Sequence, residues 1–158
     1  MDHKLIEGNT EDTTFIIGIV VAKWNSLITD ELLDGALNAL KNEGLEREQI
    51  IIARCPGAYE IPFTARQLLP KVDGIVTLGA IIRGDTPHFD YVCDAANRGI
   101  TDLNMRGNKP VVFGVLTTDN AEQARERSGL QGDKGNKGTE ASLALIEMLR
   151  LTKQIDQL

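Results

Sequence analysis

Four short apolar runs punctuate the chain, at 15–21, 49–54, 74–78 and 111–116, separated by stretches of helical periodicity. The first, Phe-Ile-Ile-Gly-Ile-Val-Val, has no polar position, the pattern of a strand covered on both faces of a sheet. Leu32, Leu33, Ala36, Leu37 and Leu40 then recur at helical spacing, predicting a helix capped at Thr29 or Asp30 and ended by Gly44. Pro62 suits the first position of a second helix, through about Leu69. A long helix is predicted over 89–106, with Tyr91, Ala95, Ile100 and Leu103 inward and Gly99 at a close approach. Thr-Thr-Asp-Asn at 117–120 starts a short helix over 121–128. A last helix over 139–154 turns Ala141, Leu145, Met148 and Leu149 inward. Strands alternating with helices in this way predict an α/β fold: a three-layer α/β/α sandwich on a four-stranded, mainly parallel sheet. Residues 1–14 read as an extended arm able to pair with another strand, one on a neighbouring subunit included, and 15–158 as a single domain.

Composition narrows the function classes. The 158 residues suffice for one domain with a proper core. A hydrophobic content of 42% with 25% charged residues describes a soluble globular protein. A net charge of −6 argues against nucleic acid as a partner, so an anionic substrate must meet a local cationic site. No apolar run approaches the roughly 20 residues that span a bilayer. The first residues lack the basic start and apolar body of a secretory signal, so no membrane association and a cytoplasmic location are expected. Cys55 and Cys93 are far apart and show no metal-type spacing, and with two histidines in all, no metal site is expected.

Chemistry is expected past the carboxyl ends of the strands, where ligands collect on open parallel sheets. Gly84, Asp85, Thr86 and Pro87 are turn and helix-start residues whose backbone N–H groups can hold an anion. His88 follows, the only histidine outside the N-terminal tail; it is either a helix-start polar residue or a proton carrier. Trp24, the only tryptophan, either caps the core or offers a flat face to a heterocycle, with Asn25 beside it. Glu60, in the turn Ala58-Tyr59-Glu60, either caps the helix after it or accepts hydrogen bonds from substrate hydroxyls. Arg127 either complements a helix dipole or clamps phosphate. The loop with Lys134 and Lys137 is glycine-rich but lacks the Gly-x-x-x-x-Gly-Lys-Ser/Thr pattern of a triphosphate site.

Five segments, in order and across nearly the whole chain, resemble the lumazine synthase family. They are Pro-Gly-Ala-Tyr-Glu-Ile-Pro at 56–62, Gly-Ala-Ile-Ile-Arg-Gly-Asp-Thr-Pro-His-Phe-Asp-Tyr-Val at 79–92, Phe-Gly-Val-Leu-Thr-Thr at 113–118, Glu-Gln-Ala-Arg-Glu-Arg-Ser-Gly at 122–129 and Gly-Asn-Lys-Gly at 135–138. The resemblance implies a flavodoxin-like sheet and a transferase that joins 5-amino-6-(D-ribitylamino)uracil to 3,4-dihydroxy-2-butanone 4-phosphate. The products are 6,7-dimethyl-8-ribityllumazine, phosphate and water, in the penultimate step of riboflavin biosynthesis. It implies no cofactor, a site between subunits of a pentamer, and riboflavin synthase as a partner. Trp24 would stack on the pyrimidine, in a loop shared with Asn25. Ala58, Tyr59 and Glu60 would hold the ribityl chain, and Ala80, Ile81 and Ile82 would meet the pyrimidine through backbone groups. Asp85 and Thr86 would cradle the phosphate with Arg127 as its cation, Phe113 would arrive from the neighbouring subunit, Lys137 would lie near the pyrimidine, and His88 would transfer protons.

Two departures from the family pattern bear on these expectations. Asp85 puts a carboxylate into a phosphate loop, which assigns its side chain to capping the next helix instead. The loop over 130–136 is slightly longer than the compact form of capsid-forming members, which favours free pentamers over icosahedral assembly. The competing readings are a flavin- or lumazine-binding module without catalysis and a shell-forming protein. A pure binder has no need of a proton carrier such as His88.

Overall fold

The computed structural model describes residues 3–158. Its strands and helices alternate as β1 (Ile17–Ala22), α1 (Ser26–Asn42), β2 (Ile50–Cys55), α2 (Ile61–Leu68), β3 (Gly74–Ile82), α3 (His88–Arg106), β4 (Val111–Thr118), α4 (Ala121–Arg127) and α5 (Lys137–Asp156). The strands form one parallel sheet in the order β2-β1-β3-β4. Side-chain alternation along β1 explains why its run is apolar throughout. Ile17, Ile19 and Val21 pack with Leu32, Leu33 and Ala36 of α1 and Ala141, Leu145 and Ile146 of α5. Val20 and Ala22 pack on the opposite face with Ile61 and Ala65 of α2 and Phe89, Ala96 and Ile100 of α3. Each such fully buried aliphatic side chain stabilises the fold by about 2 kcal/mol. The three-layer α/β/α sandwich is therefore as predicted.

Order β2-β1-β3-β4 carries a functional consequence. From β1 the chain first crosses outward to β2 and then returns to place β3 on the other side of β1. The connections leaving β1 and β3 thus diverge, opening a crevice at the carboxyl ends of those two strands.

Several boundaries and faces differ from the sequence expectations. α1 begins at Ser26, because Asn25 takes a left-handed conformation (φ 60°) and its carbonyl accepts the N–H groups of Ile28 and Thr29. Thr29 is consequently not a cap; it is fully buried, and its hydroxyl has no hydrogen-bond partner. Asp30 stays at the surface and pairs with Arg54 at 2.8 Å. Pro62 occupies the second position of α2, which starts at Ile61. Tyr91 points outward, since the buried face of α3 is set by Phe89, Ala96 and Ile100 and a residue two beyond Phe89 falls opposite it. In α5 the buried stripe is Ala141, Ser142, Leu145, Ile146 and Leu149, leaving Met148 exposed. Gly99 meets its expectation: a Cβ there would lie 2.4 Å from Pro62 Cβ, so α3 can approach α2 this closely only without a side chain.

Of the arm over 1–14, the first two residues lie outside the described residues. The remainder carries no helix or strand and is tied to α5 of its own chain. Gly8 N–H donates to Gln154 Oε1 at 2.8 Å, Arg150 Nε donates to the Asp12 carbonyl at 3.1 Å, and Asp12 forms an ion pair with Lys153. No helix among the described residues is long and apolar enough to cross a membrane.

Candidate active site

A cleft of about 670 Å³ opens at the β1–β3 crevice, lined by Trp24, Asn25, Ala58, Tyr59, Glu60, Ala80, Ile81, Ile82, Gly84, Thr86 and His88. The loop after β1 is braced against β2 by Lys23 N–H on the Cys55 carbonyl (2.8 Å) and Trp24 N–H on the Pro56 carbonyl (3.0 Å). Trp24 projects from it, 74% exposed, which rules out a core-capping role, and it lines the cleft. Asn25 turns its side-chain amide to the Ala80 carbonyl at 2.7 Å, so it fastens the loop to β3.

β3 runs on to Ile82, four residues beyond the predicted end at Leu78. This extension matters for recognition. Pairing with β1 stops at Val21 opposite Leu78, whereas pairing with β4 continues to Ile82 opposite Thr118. Residues 79–82 therefore present one backbone edge without a β1 partner, and only the Ala80 carbonyl is taken up by Asn25. A free strand edge is a row of donors and acceptors, the complement of a planar heterocycle with its own amide-like edge.

Ala58, Tyr59 and Glu60 form a single turn of 3-10 helix leading into α2. Glu60 precedes α2 but makes no side-chain cap, so its carboxylate is free for hydroxyl groups in the cleft. Tyr59 is likewise exposed beside it. His88 is the first residue of α3, its backbone N–H directed at Thr86 Oγ1 (3.4 Å) and its imidazole without a hydrogen bond among the described residues. Asp85 does not cap α3, which has no side-chain cap, and Asp85 does not line the cleft. Cys55 is buried below, its thiol donating to the Gly57 carbonyl at 3.4 Å. Burial pushes its pKa up, which disfavours the nucleophilic thiolate.

The remaining predicted residues lie elsewhere. Phe113, Arg127 and Lys137 line a second cleft of about 620 Å³ between β4, α4 and α5, with Lys134, Gln123 and Glu140. None of the residues lining one cleft lines the other. One chain thus holds its imidazole and its candidate phosphate cation in separate clefts. Lys137 pairs with Glu140 at 3.2 Å, whereas Arg127 extends from the last turn of α4.

Asn136 was not among the expected site residues, yet it sets the position of Lys137. Its amide donates to the Glu31 carbonyl (2.9 Å) and the Ser128 carbonyl (2.6 Å), and its Oδ1 accepts the N–H groups of Gly138 and Thr139, capping α5. The local sign was an asparagine before a helical run, the usual N-cap chemistry. Its long-range partner on α1 had no such sign.

The family model of 6,7-dimethyl-8-ribityllumazine synthase matches residues 14–153. The chain belongs to this family. It is also 48% identical, over 115 residues covering 72% of each chain, to a 6,7-dimethyl-8-ribityllumazine synthase of Parabacteroides distasonis. The chain is accordingly a transferase of riboflavin biosynthesis, which sets aside a non-catalytic binding module or shell protein as its primary role.

Proposed function

We propose that the condensation of 5-amino-6-(D-ribitylamino)uracil with 3,4-dihydroxy-2-butanone 4-phosphate takes place in a composite site. The Trp24–His88 cleft of one subunit faces the Phe113–Arg127–Lys137 cleft of the next in a ring-shaped pentamer. What supports this is that proton carrier and phosphate cation line different clefts of one chain, an arrangement that a second subunit can complete. Exposed apolar side chains outside the first cleft, such as Leu27 and Tyr91, suit burial in an assembly.

In this arrangement Trp24 stacks on the pyrimidine while the free backbone edge of residues 79–82 reads its polar rim. Tyr59 and Glu60, with the backbone at Ala58, take the ribityl hydroxyls. Thr86 and the amides around it receive the butanone phosphate, and Arg127 of the neighbour supplies a planar, bidentate clamp. Asp85 stands at the rim, its carboxylate away from the anion. Lys137 of the neighbour lies toward the pyrimidine and Phe113 closes the apolar wall.

Imine formation releases one water, loss of phosphate follows, and tautomerisation and ring closure, with loss of a second water, complete the lumazine. Each step moves a proton. An imidazole at His88 can give and take them near neutral pH, a contribution of roughly 10²–10⁴ in rate. Holding both substrates in register supplies the larger part of the acceleration. On this reading the protein works in the cytoplasm, and riboflavin synthase consumes the product.

Co-expression of His88→Ala and Arg127→Ala subunits tests the composite site. Each variant alone is expected to be slow. Mixed rings contain interfaces at which an intact His88 faces an intact Arg127, about a quarter of all sites for random mixing. Activity well above that of either variant supports shared sites, whereas none above their average places both residues within one subunit.

A further inference from the structure

Five residues, 83–87, carry the chain from the end of β3 to His88, and little packs around them: a Cβ at Gly84 would meet nothing within 4 Å. The turn that presents Thr86 and His88 must therefore be held from its ends. At the β3 end stands Arg83, which is not among the residues lining either cleft. Its backbone N–H donates to the Thr118 carbonyl at 2.9 Å, extending the β3–β4 ladder by one bond. Its guanidinium then reaches three groups. Nε donates to Asp119 Oδ1 at 2.9 Å, Nη1 lies 3.5 Å from Asp90 Oδ1, and Cζ sits 4.3 Å from the centre of the Phe89 ring.

Those partners belong to the elements that matter. Asp90 and Phe89 are in the first turn of α3, directly after His88. Asp119 follows β4, and its own N–H is fixed by Gln123 Oε1 at 2.8 Å, next to Asn120, the cap of α4. As an ordinary exposed ion pair, Arg83 would contribute little to stability. Its geometry suits a different purpose, because a planar fork that stacks on an aromatic face fixes orientation as well as distance.

We propose that Arg83 is a positioning residue for the lumazine-forming reaction, clamping the first turn of α3 to the end of β4 so that Thr86 and His88 keep their places. This rests on the reading of His88 as proton carrier and Thr86 as phosphate ligand. The clamp acts on the butanone-phosphate side of the cleft and leaves the Trp24 side untouched. It therefore makes a split prediction.

Steady-state kinetics of Arg83→Gln, Asp119→Asn and the double variant, with His88→Ala alongside, provide the test. Fluorescence of Trp24, the only tryptophan, reports ribitylaminouracil binding independently of turnover. For Arg83→Gln, kcat is expected to fall about 10–100-fold, the scale on which small misplacements act. KM for the butanone phosphate should rise while affinity for ribitylaminouracil stays as in wild type. The double variant should be no slower than Arg83→Gln, since both changes break one link. Wild-type kcat in Arg83→Gln beside a slowed His88→Ala overturns the clamp alone, as does equal loss of affinity for both substrates, the mark of a general structural role. A neutral His88→Ala overturns the site reading and the clamp with it. Should Arg83→Gln not fold, Asp119→Asn decides: a smaller loss with the same split supports the clamp, and wild-type kcat overturns it.

Discussion

At the scale of single residues, the site side chains divide into those free to meet a ligand and those already engaged by the protein. Among the described residues the His88 imidazole and the Glu60 carboxylate make no protein hydrogen bond, whereas the Asn25 amide is taken by β3. Turnover by His88→Ala is therefore expected to drop by roughly 10²–10⁴ without vanishing, because substrate alignment survives. Arg127→Ala should act mainly on KM for the butanone phosphate, and parallel steady-state kinetics separate the two. Thr29 offers a contrasting prediction on stability alone. Its hydroxyl is buried with no partner, an arrangement that costs about 1–3 kcal/mol. Thr29→Val keeps the shape and removes the orphan group, so chemical denaturation should show a gain of about 1 kcal/mol with kcat unchanged.

At the scale of elements, function depends on where strands stop. β3 outlasts β1 by residues 79–82, which exposes a backbone edge at the crevice, and α3 begins at His88 itself. α3 can hold that position because Gly99 lets it lie against Pro62 of α2. The arm shows another kind of control. Hydrogen bonding from Lys153, then from Thr14, lowers the Asp12 pKa from 3.8 to about 2. A lowered carboxylate pKa stabilises the fold fully above the unfolded value and ceases to do so as pH falls through the folded one. For this solvent-screened pair the contribution is about 1 kcal/mol or less. Wild type should thus lose more thermal stability than Asp12→Asn between about pH 4 and pH 2, measured by melting scans at each pH.

At the scale of the whole molecule, the candidate residues fall in two clefts of one chain, and on the proposed reading each cleft supplies part of the chemistry. On that reading assembly is a condition of activity. Sedimentation is expected to give a species of five chains, with the longer loop over 130–136 disfavouring icosahedral shells. Turnover should fall on dilution below the concentration at which rings dissociate, and a monomer with full activity would contradict the composite site.

By itself the sequence determined the layer architecture, since apolar runs of strand length between amphipathic helical stretches have few ways to bury their faces. It also determined the family, through five motifs in register. Element boundaries were less legible. Thr29 looked like a cap because the left-handed turn at Asn25 is secured by Ala80, a partner 55 residues away that no local pattern announces. Tyr91 and Met148 looked inward because apolar character alone does not tell a core face from a surface reserved for something else. Only the tertiary structure put Arg127 and Lys137 in a cleft that His88 does not line. Strand order sends β4 to one side of β3 and the Trp24 loop to the other, and that separation is a property of the assembled sheet rather than of any stretch of chain.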